Sequence, residues 1–194
     1  DAAPALAERC ERLPLALRLS ASALAEQPTL PVAEFVQQFE QVQTRLQLTG
    51  MDASLQVSYD LLAPDLQTRL RLLSVFPAPF RRPAAAAVWE VDEAAAQPAL
   101  TSLVNASLLE YDEASGFRLH DLVRDFAAGK LADDECCAAS LRHAAYYLDT
   151  ARQADALYEL GGEQMLAGLA LFDLHWAHLS AAQAWAAAQP ETDL

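Results

Sequence analysis

Histidine, cysteine and a single Gly-Lys pair are the side chains here with the types to do chemistry, and their spacing separates them sharply. His120 precedes Asp121 where alternating apolar residues give way to helical spacing. An imidazole at such a corner can aim a ring N–H at a phosphate oxygen, while the Asp121 carboxylate accepts unpaired N–H groups at the helix start. The plainer alternative is a corner histidine satisfied by nearby backbone. His175-x-x-His178 places two imidazoles one helical turn apart, but zinc needs further ligands and Asp173 is the sole nearby carboxylate, so both read as surface histidines. Cys136 and Cys137 are adjacent and Cys10 is distant. That odd set forms neither a disulfide framework nor a Cys-x-x-Cys metal pair, and is expected to be reduced, buried thiols of a cytoplasmic protein. Gly129-Lys130 runs into Leu131 inside a helical pattern, with no Gly-x-x-x-x-Gly-Lys-Ser/Thr loop to cradle phosphates and no Gly-x-Ser-x-Gly nucleophile turn. No catalytic residue and no metal ligand is expected, and the chain does not read as an enzyme.

The elements that must position His120 follow from periodicity. Leu108, Leu109 and Tyr111 precede the polar tip Asp112-Glu113-Ala114-Ser115-Gly116, and Phe117 and Leu119 resume the strand. Gly116 can supply the positive φ of a tight turn. From Asp121 onward Leu122, Val123 and Phe126 make a helical face. Upstream, the pattern predicts helices over 5–11, 14–24 and 32–46, with Pro14 at a first helical turn and Gly50 closing the third. A helix capped by Asp52 or Ser54 runs to Leu62 and should pair with one over 64–76. Pro77, Pro79 and Pro83 form an extended link carrying Arg81-Arg82, a solvated basic doublet. Short helices follow over 84–90 and 93–106, with Pro98 marking the first turn of the second. Beyond Asp133 the texture is Ala-rich helix over 135–160, 163–172 and 176–188, broken at Gly161-Gly162. Tyr146-Tyr147 and Trp176 with Trp185 read as core and helix-contact residues.

The fold expected is mostly α: a helical bundle over 1–50, a winged helix with a small β-hairpin over 51–132, and an α-helical, solenoid-like array over 133–194. Composition agrees, with 53% hydrophobic residues, 21% charged and only 6 glycines in 194 residues. No apolar run approaches a membrane span and no signal peptide opens the chain, so no membrane partner is expected. The formal net charge of -14 repels phosphate backbones and anionic lipid unless a basic patch intervenes. The start at Asp1, without Met, suggests a piece of something longer.

Three motifs in order amount to a family resemblance. Arg12-Leu13-Pro14-Leu15-Ala16-Leu17 resembles Gly-Leu-Pro-Leu-Ala. Ser58-Tyr59-Asp60-Leu61-Leu62 with Leu72-Leu73-Ser74-Val75-Phe76-Pro77 resembles the start of a winged helix, and Leu119-His120-Asp121 resembles Met-His-Asp. The set is similar to the NB-ARC group of signal-transduction (STAND) ATPases over about residues 1–131, and 172–179 looks like the linker leading bacterial members into tetratricopeptide repeats. The resemblance implies the helical domain and winged helix that close over ADP or ATP held by an upstream nucleotide-binding domain of the same chain. It implies no cofactor for these residues alone. Pro14 would pack near the adenine, His120 would reach the diphosphate, and Asp121 would support His120. Downstream helical repeats and other proteins would be the partners.

Two functions are therefore expected in order: a nucleotide-gated regulatory module, or a winged-helix DNA-binding domain of a transcription regulator. The helix that would enter a groove holds no Lys or Arg, and Asp112 and Glu113 sit at the wing tip, so no nucleic-acid partner is expected.

Overall fold

The computed structural model describes residues 2–189. Asp1 and residues 190–194, the outer ends of the first and third expected units, lie outside them. The elements in chain order are α1 (Ala2–Arg9), α2 (Pro14–Ala25), α3 (Val32–Leu46), α4 (Gly50–Asp60), α5 (Pro64–Leu72) running into a 3-10 turn (Leu73–Val75), α6 (Arg82–Trp89) and α7 (Glu93–Asn105). The hairpin β1 (Glu110–Asp112) and β2 (Gly116–Arg118) follows, then α8 (Asp121–Ala128), α9 (Asp133–Glu159) and α10 (Gly162–Ala188). The protein is mostly α, with a winged helix and one two-stranded antiparallel sheet among the described residues.

Local chemistry sets these bounds. Pro14 and Pro64 stand in the first turns of α2 and α5, where a missing N–H leaves no intrahelical bond unmade. The α4 cap is Thr49, whose Oγ1 accepts the Asp52 N–H at 3.2 Å and donates to the Asp52 carboxylate at 2.8 Å, so neither Asp52 nor Ser54 holds that place. Gly50 opens α4 and does not close α3, which ends on Gln47 in the left-handed region at φ 53°. A Cβ at Gly50 would lie 2.3 Å from the Arg9 carbonyl oxygen, so glycine is what lets α4 start against the end of α1. Its N–H donates to Glu11 Oε1 at 2.8 Å.

Two apolar clusters organise the packing. One gathers Leu6, Ala16, Phe35, Phe39 and Ala53 among α1 to α4. Beside it runs a polar seam in which Cys10 Sγ lies 3.3 Å from Ser20 Oγ, and Ser54 Oγ donates to the Gly50 carbonyl at 2.7 Å. The larger cluster reaches from Leu19, Leu55 and Tyr59 through Phe80, Leu100 and Phe117 to Tyr147. Contrary to the expected pairing, α4 packs chiefly on α2 and α3, while α5 seats on α8, α7 and the 3-10 turn. Small residues on α4, Ala53 and Ser54, meet Ala16 and Ser20 of α2, and that close fit decides the partner.

Three further readings are corrected. Pro98 lies inside α7, which starts on the Asp92 cap, so the helix tolerates the proline in its second turn. Residues 163–188 form one helix: nothing near Asp173 can break it, and α9 and α10 pack along each other as a helical hairpin. Cys136 and Cys137 are exposed on α9, and only Cys10 is buried. No helix among the described residues is long and apolar enough to cross a membrane.

Gly50→Ala should therefore cost about 1 to 3 kcal/mol, because the α1 backbone must retreat, and Thr49→Ala about 1 kcal/mol. Urea midpoints compare both with the wild-type chain, and an unchanged Gly50→Ala midpoint would contradict the tight seat.

Candidate functional site

The wing is fixed from three sides. Phe117 exchanges both backbone hydrogen bonds with Phe80 at 2.8 Å each, a bridge that adds the proline-rich link to the edge of the hairpin. At the tip, Asp112 Oδ1 accepts the Ser115 N–H at 2.8 Å and its hydroxyl at 3.0 Å. Those bonds from Ser115 hold the Asp112 carboxyl below the usual carboxylate range. Arg81 donates to the carbonyls of Glu113 and Ala114, so half of the basic doublet clamps the tip. The other half, Arg82, pairs with Glu93 at 3.0 Å and with Gln97 Oε1 at 3.2 Å, tying α6 to α7.

Beside the wing, α7 buries Ala96, Ala99, Leu100 and Leu103 and turns Gln97, Thr101, Ser102 and Asn105 outward. Arg81, Arg82, Gln97, Thr101 and Tyr111 line one hollow between α7 and the wing. Arg18, Glu110, Asp112 and Arg118 line another, which shares Val104, Tyr111 and Gly116 with the first. Arg18 is bound to Glu110 at 2.8 Å, whereas Arg118 and Arg81 have no ion pair among the described residues. The surface is thus hydrogen-bonding and mixed in charge, with Arg118 in no ion pair among the described residues and Arg81 near enough to Asp112 to help lower its carboxyl.

His120 stands at the strand-to-helix corner, half-buried, and serves as the cap of α8. Its Nδ1 accepts the Leu122 N–H at 3.2 Å, so the ring proton of the neutral form sits on Nε2. This corrects the capping assigned to Asp121: the aspartate occupies the first helical position, exposed, with its carboxylate 3.0 Å from Arg124. Pro14 is exposed at the start of α2. Just ahead of it, Arg12 has φ 57°, so the residue standing where the resembling motif has glycine keeps a left-handed backbone. No hydrogen bond joins the Pro14 and His120 corners among the described residues. Between them lies α4, packed on α2 and touching α8 through Tyr59 against Phe126, ring centroids 5.7 Å apart.

Sequence reasoning missed two further constellations. Arg71 donates to Tyr59 Oη at 2.8 Å and to Glu135 Oε1 at 3.0 Å, joining α4, α5 and α9. That bond from Arg71 holds the Glu135 carboxyl below its ordinary value and, in return, raises the guanidinium above its own. The second is a histidine pair. His178, expected at the surface, is 1% exposed and packs against His143, because one turn of α10 faces α9 and the link at Pro79. No group of three or more potential metal ligands is assembled among the described residues.

Residues 62–132 match the winged helix-turn-helix domain family. The chain is 32% identical over 174 residues to the regulatory protein AfsR of Streptomyces coelicolor, covering 82% of this chain and 17% of that protein. It is 33% identical over 141 residues to regulatory protein AfsR of Streptomyces griseus, covering 70% and 14%. The chain thus spans less than a fifth of the length of these curated relatives. Among solved structures, a signal-transduction ATPase with numerous domains and a tetratricopeptide repeat sensor from Pyrococcus horikoshii aligns with TM-score 0.43 and 16% identity over 81% of this chain and 26% of that one.

The winged helix-turn-helix match and the regulator relatives overturn the exclusion of nucleic acid. The exclusion leaned on whole-chain charge, on the absence of Lys and Arg from α7 and on Asp112 and Glu113 at the wing tip. Groove readers in general also use neutral Gln, Asn, Thr and Ser, and take phosphate contacts from neighbouring elements; near α7 this chain carries Arg81 and Arg118.

His120→Ala should cost about 1 kcal/mol through loss of the α8 cap, and His120→Asn should restore most of it. Thermal melts of the two variants separate this from a surface histidine, for which both would melt with the wild type.

Proposed function

We propose that this chain is a winged-helix regulatory module of a larger transcription regulator, in which α7 and the wing contact duplex DNA. The observation that carries this reading is the outward face of α7, Gln97 and Thr101, framed by Arg81 on one side and the exposed Arg118 of the wing on the other. The match over residues 62–132 supports it. Gln97 is the side chain suited to a base edge: its amide, which accepts from Arg82 and donates to Thr101 in the free chain, exchanges those bonds for two to adenine. Arg118, and Arg81 once the wing meets a backbone, supply phosphate contacts. With so few free cations, binding depends weakly on salt and strongly on shape.

A second reading is favoured by His120. Its ring is oriented by Leu122 N–H with Nε2 left to donate, as a contact to a diphosphate would need. In that reading the module closes over ADP or ATP held by an upstream nucleotide-binding domain of the NB-ARC type, with Pro14 against the base and Asp121 holding the α8 start. The residues in hand are not an enzyme in either reading, and both place the protein in the cytoplasm with helical repeats and other proteins as partners.

Selection from a random duplex library followed by fluorescence anisotropy tests the first reading. Affinity should fall with a log–log salt slope of about -2 to -4, reflecting two to four phosphate contacts. Arg118→Ala should flatten the slope by about one, and Gln97→Ala should relax one base position by about 1 to 3 kcal/mol. Absence of any enriched sequence or low-salt binding would end that reading. For the second, ADP release timed from the longer protein should be about 5- to 150-fold faster after His120→Ala; equal rates would leave His120 a cap alone.

A further inference from the structure

Where α9 and α10 cross the base of the winged helix, two imidazoles and a phenol are shut away from water. His143, His178 and Tyr147 are 3%, 1% and 1% exposed. His178 Nε2 lies 3.0 Å from the Pro79 carbonyl oxygen, which can only accept, so Nε2 carries a proton. The neutral ring then leaves Nδ1 bare, and His143 Nε2, 3.3 Å away, must donate to it. Both tautomers are fixed by this chain of two bonds. A proton taken up by the pair, on His143 Nδ1 or on His178 Nδ1 with His143 in its other tautomer, keeps both bonds but leaves an imidazolium shut away from water.

Burial outweighs what offsets a positive charge at the pair, chiefly the Pro79 carbonyl oxygen beside His178 Nε2. Tyr147 stacks on His178 at 4.2 Å with rings 3° from parallel, and Phe76 presents its ring at 5.2 Å to His143 and 5.9 Å to His178. The titratable and charged groups nearby are few. On α9 they are Tyr146, Tyr147 and Arg142, the last held by Glu90 at the end of α6. On α10 there is His175, 6.3 Å from His178 between ring centroids. Asp133 and Cys136 line the open hollow that reaches His143 from the α8 side. From α5 comes Arg71, already paired with Glu135, and from α7 Glu93, whose charge is felt at Tyr146. No hydrogen bond or ion pair among the described residues brings a carboxylate to either ring.

We propose that the His143–His178 pair is an acid-sensitive seat: the α9–α10 hairpin stays docked on the winged helix while both rings are neutral and is released when the pair takes up a proton. Burial holds His143 down to about 4, with the nearby His178 adding to the effect, and burial lowers His178 as well. The docked state therefore binds the proton more weakly than a released, hydrated ring with a value near 6.5. Docking is at full strength above about pH 6.5 and weakens as pH falls toward 4. At pH 5 the undocking constant rises about 30-fold from His143 alone, the ratio of the two binding polynomials. The seat operates whether or not α7 meets DNA.

Amide hydrogen exchange on the 194-residue chain, corrected for intrinsic rates and compared between pH 7.5 and 5.0, reads the release. Protection in α10 around His178 should fall about 30-fold at pH 5.0 while α7, in the winged-helix core, keeps its protection. His143→Gln, which retains an N–H for His178, should remove most of that loss, and His143→Gln with His178→Gln nearly all of it. Should either variant fail to fold, the nitrogen shifts of the wild-type imidazoles decide: rings that remain neutral until α10 loses protection support the seat. A His143 that titrates near 6.5 with α10 still protected would overturn it. So would loss of protection in α7 and α10 together, which is global unfolding.

Discussion

An aromatic column holds this molecule together. Phe117 of the wing stacks with Phe80, ring centroids 6.2 Å apart, and Phe80 stacks with Phe76 at 4.1 Å. From Phe76 the contact passes to His143 and His178 of the helical hairpin. The column spans the winged helix from wing to base, and all its members are buried. The Phe80–Phe117 backbone bridge gives it direction, since a strand-like link between prolines can stack both rings only in that register. The position of the wing beside α7 and the seat of α9 and α10 both depend on it.

A second constraint acts crosswise. Arg71 reaches Tyr59 on one side and Glu135 on the other, and Glu135 also accepts the Ala132 N–H at 3.2 Å at the head of α9. One guanidinium, 18% exposed, thus fixes where α9 leaves the winged helix. Because burial strengthens its bonds while exposing little of it to salt, it is worth more than the surface pairs such as Arg152 with Asp149. Lys130, lying over the rings of Tyr59 and Phe126 and bonded to Gln56, makes a parallel tie from the end of α8 back to α4.

What could be read in the sequence was local punctuation. Pro14 and Pro64 marked helix starts, Gly116 the wing turn, and the change of period at Asp121 the start of α8. Each is dictated by φ or by a missing N–H within a few residues. What could not be read depends on partners far along the chain. Gly50 looked like a helix end until the α1 carbonyl beside it showed why it begins one. Thr49 was passed over as a cap for later polar residues, and α4 was assigned to α5 because sequence neighbours usually pair. His178 looked like surface because its burial is made by Pro79, ninety-nine residues away.

Gly168 has a mechanical consequence. A Cβ there would fall 2.5 Å from the Ala154 carbonyl oxygen, so α9 and α10 touch backbone to backbone away from the winged helix. Two helices joined so closely resist shear and turn as one stiff rod. The Gly161 end of α10 lies about 25 Å along the axis from His178 at 1.5 Å per residue. A tilt of about 10° at the Pro79 seat therefore carries that end through roughly 4 Å, and the hairpin works as a pointer that magnifies small angular changes at its pivot.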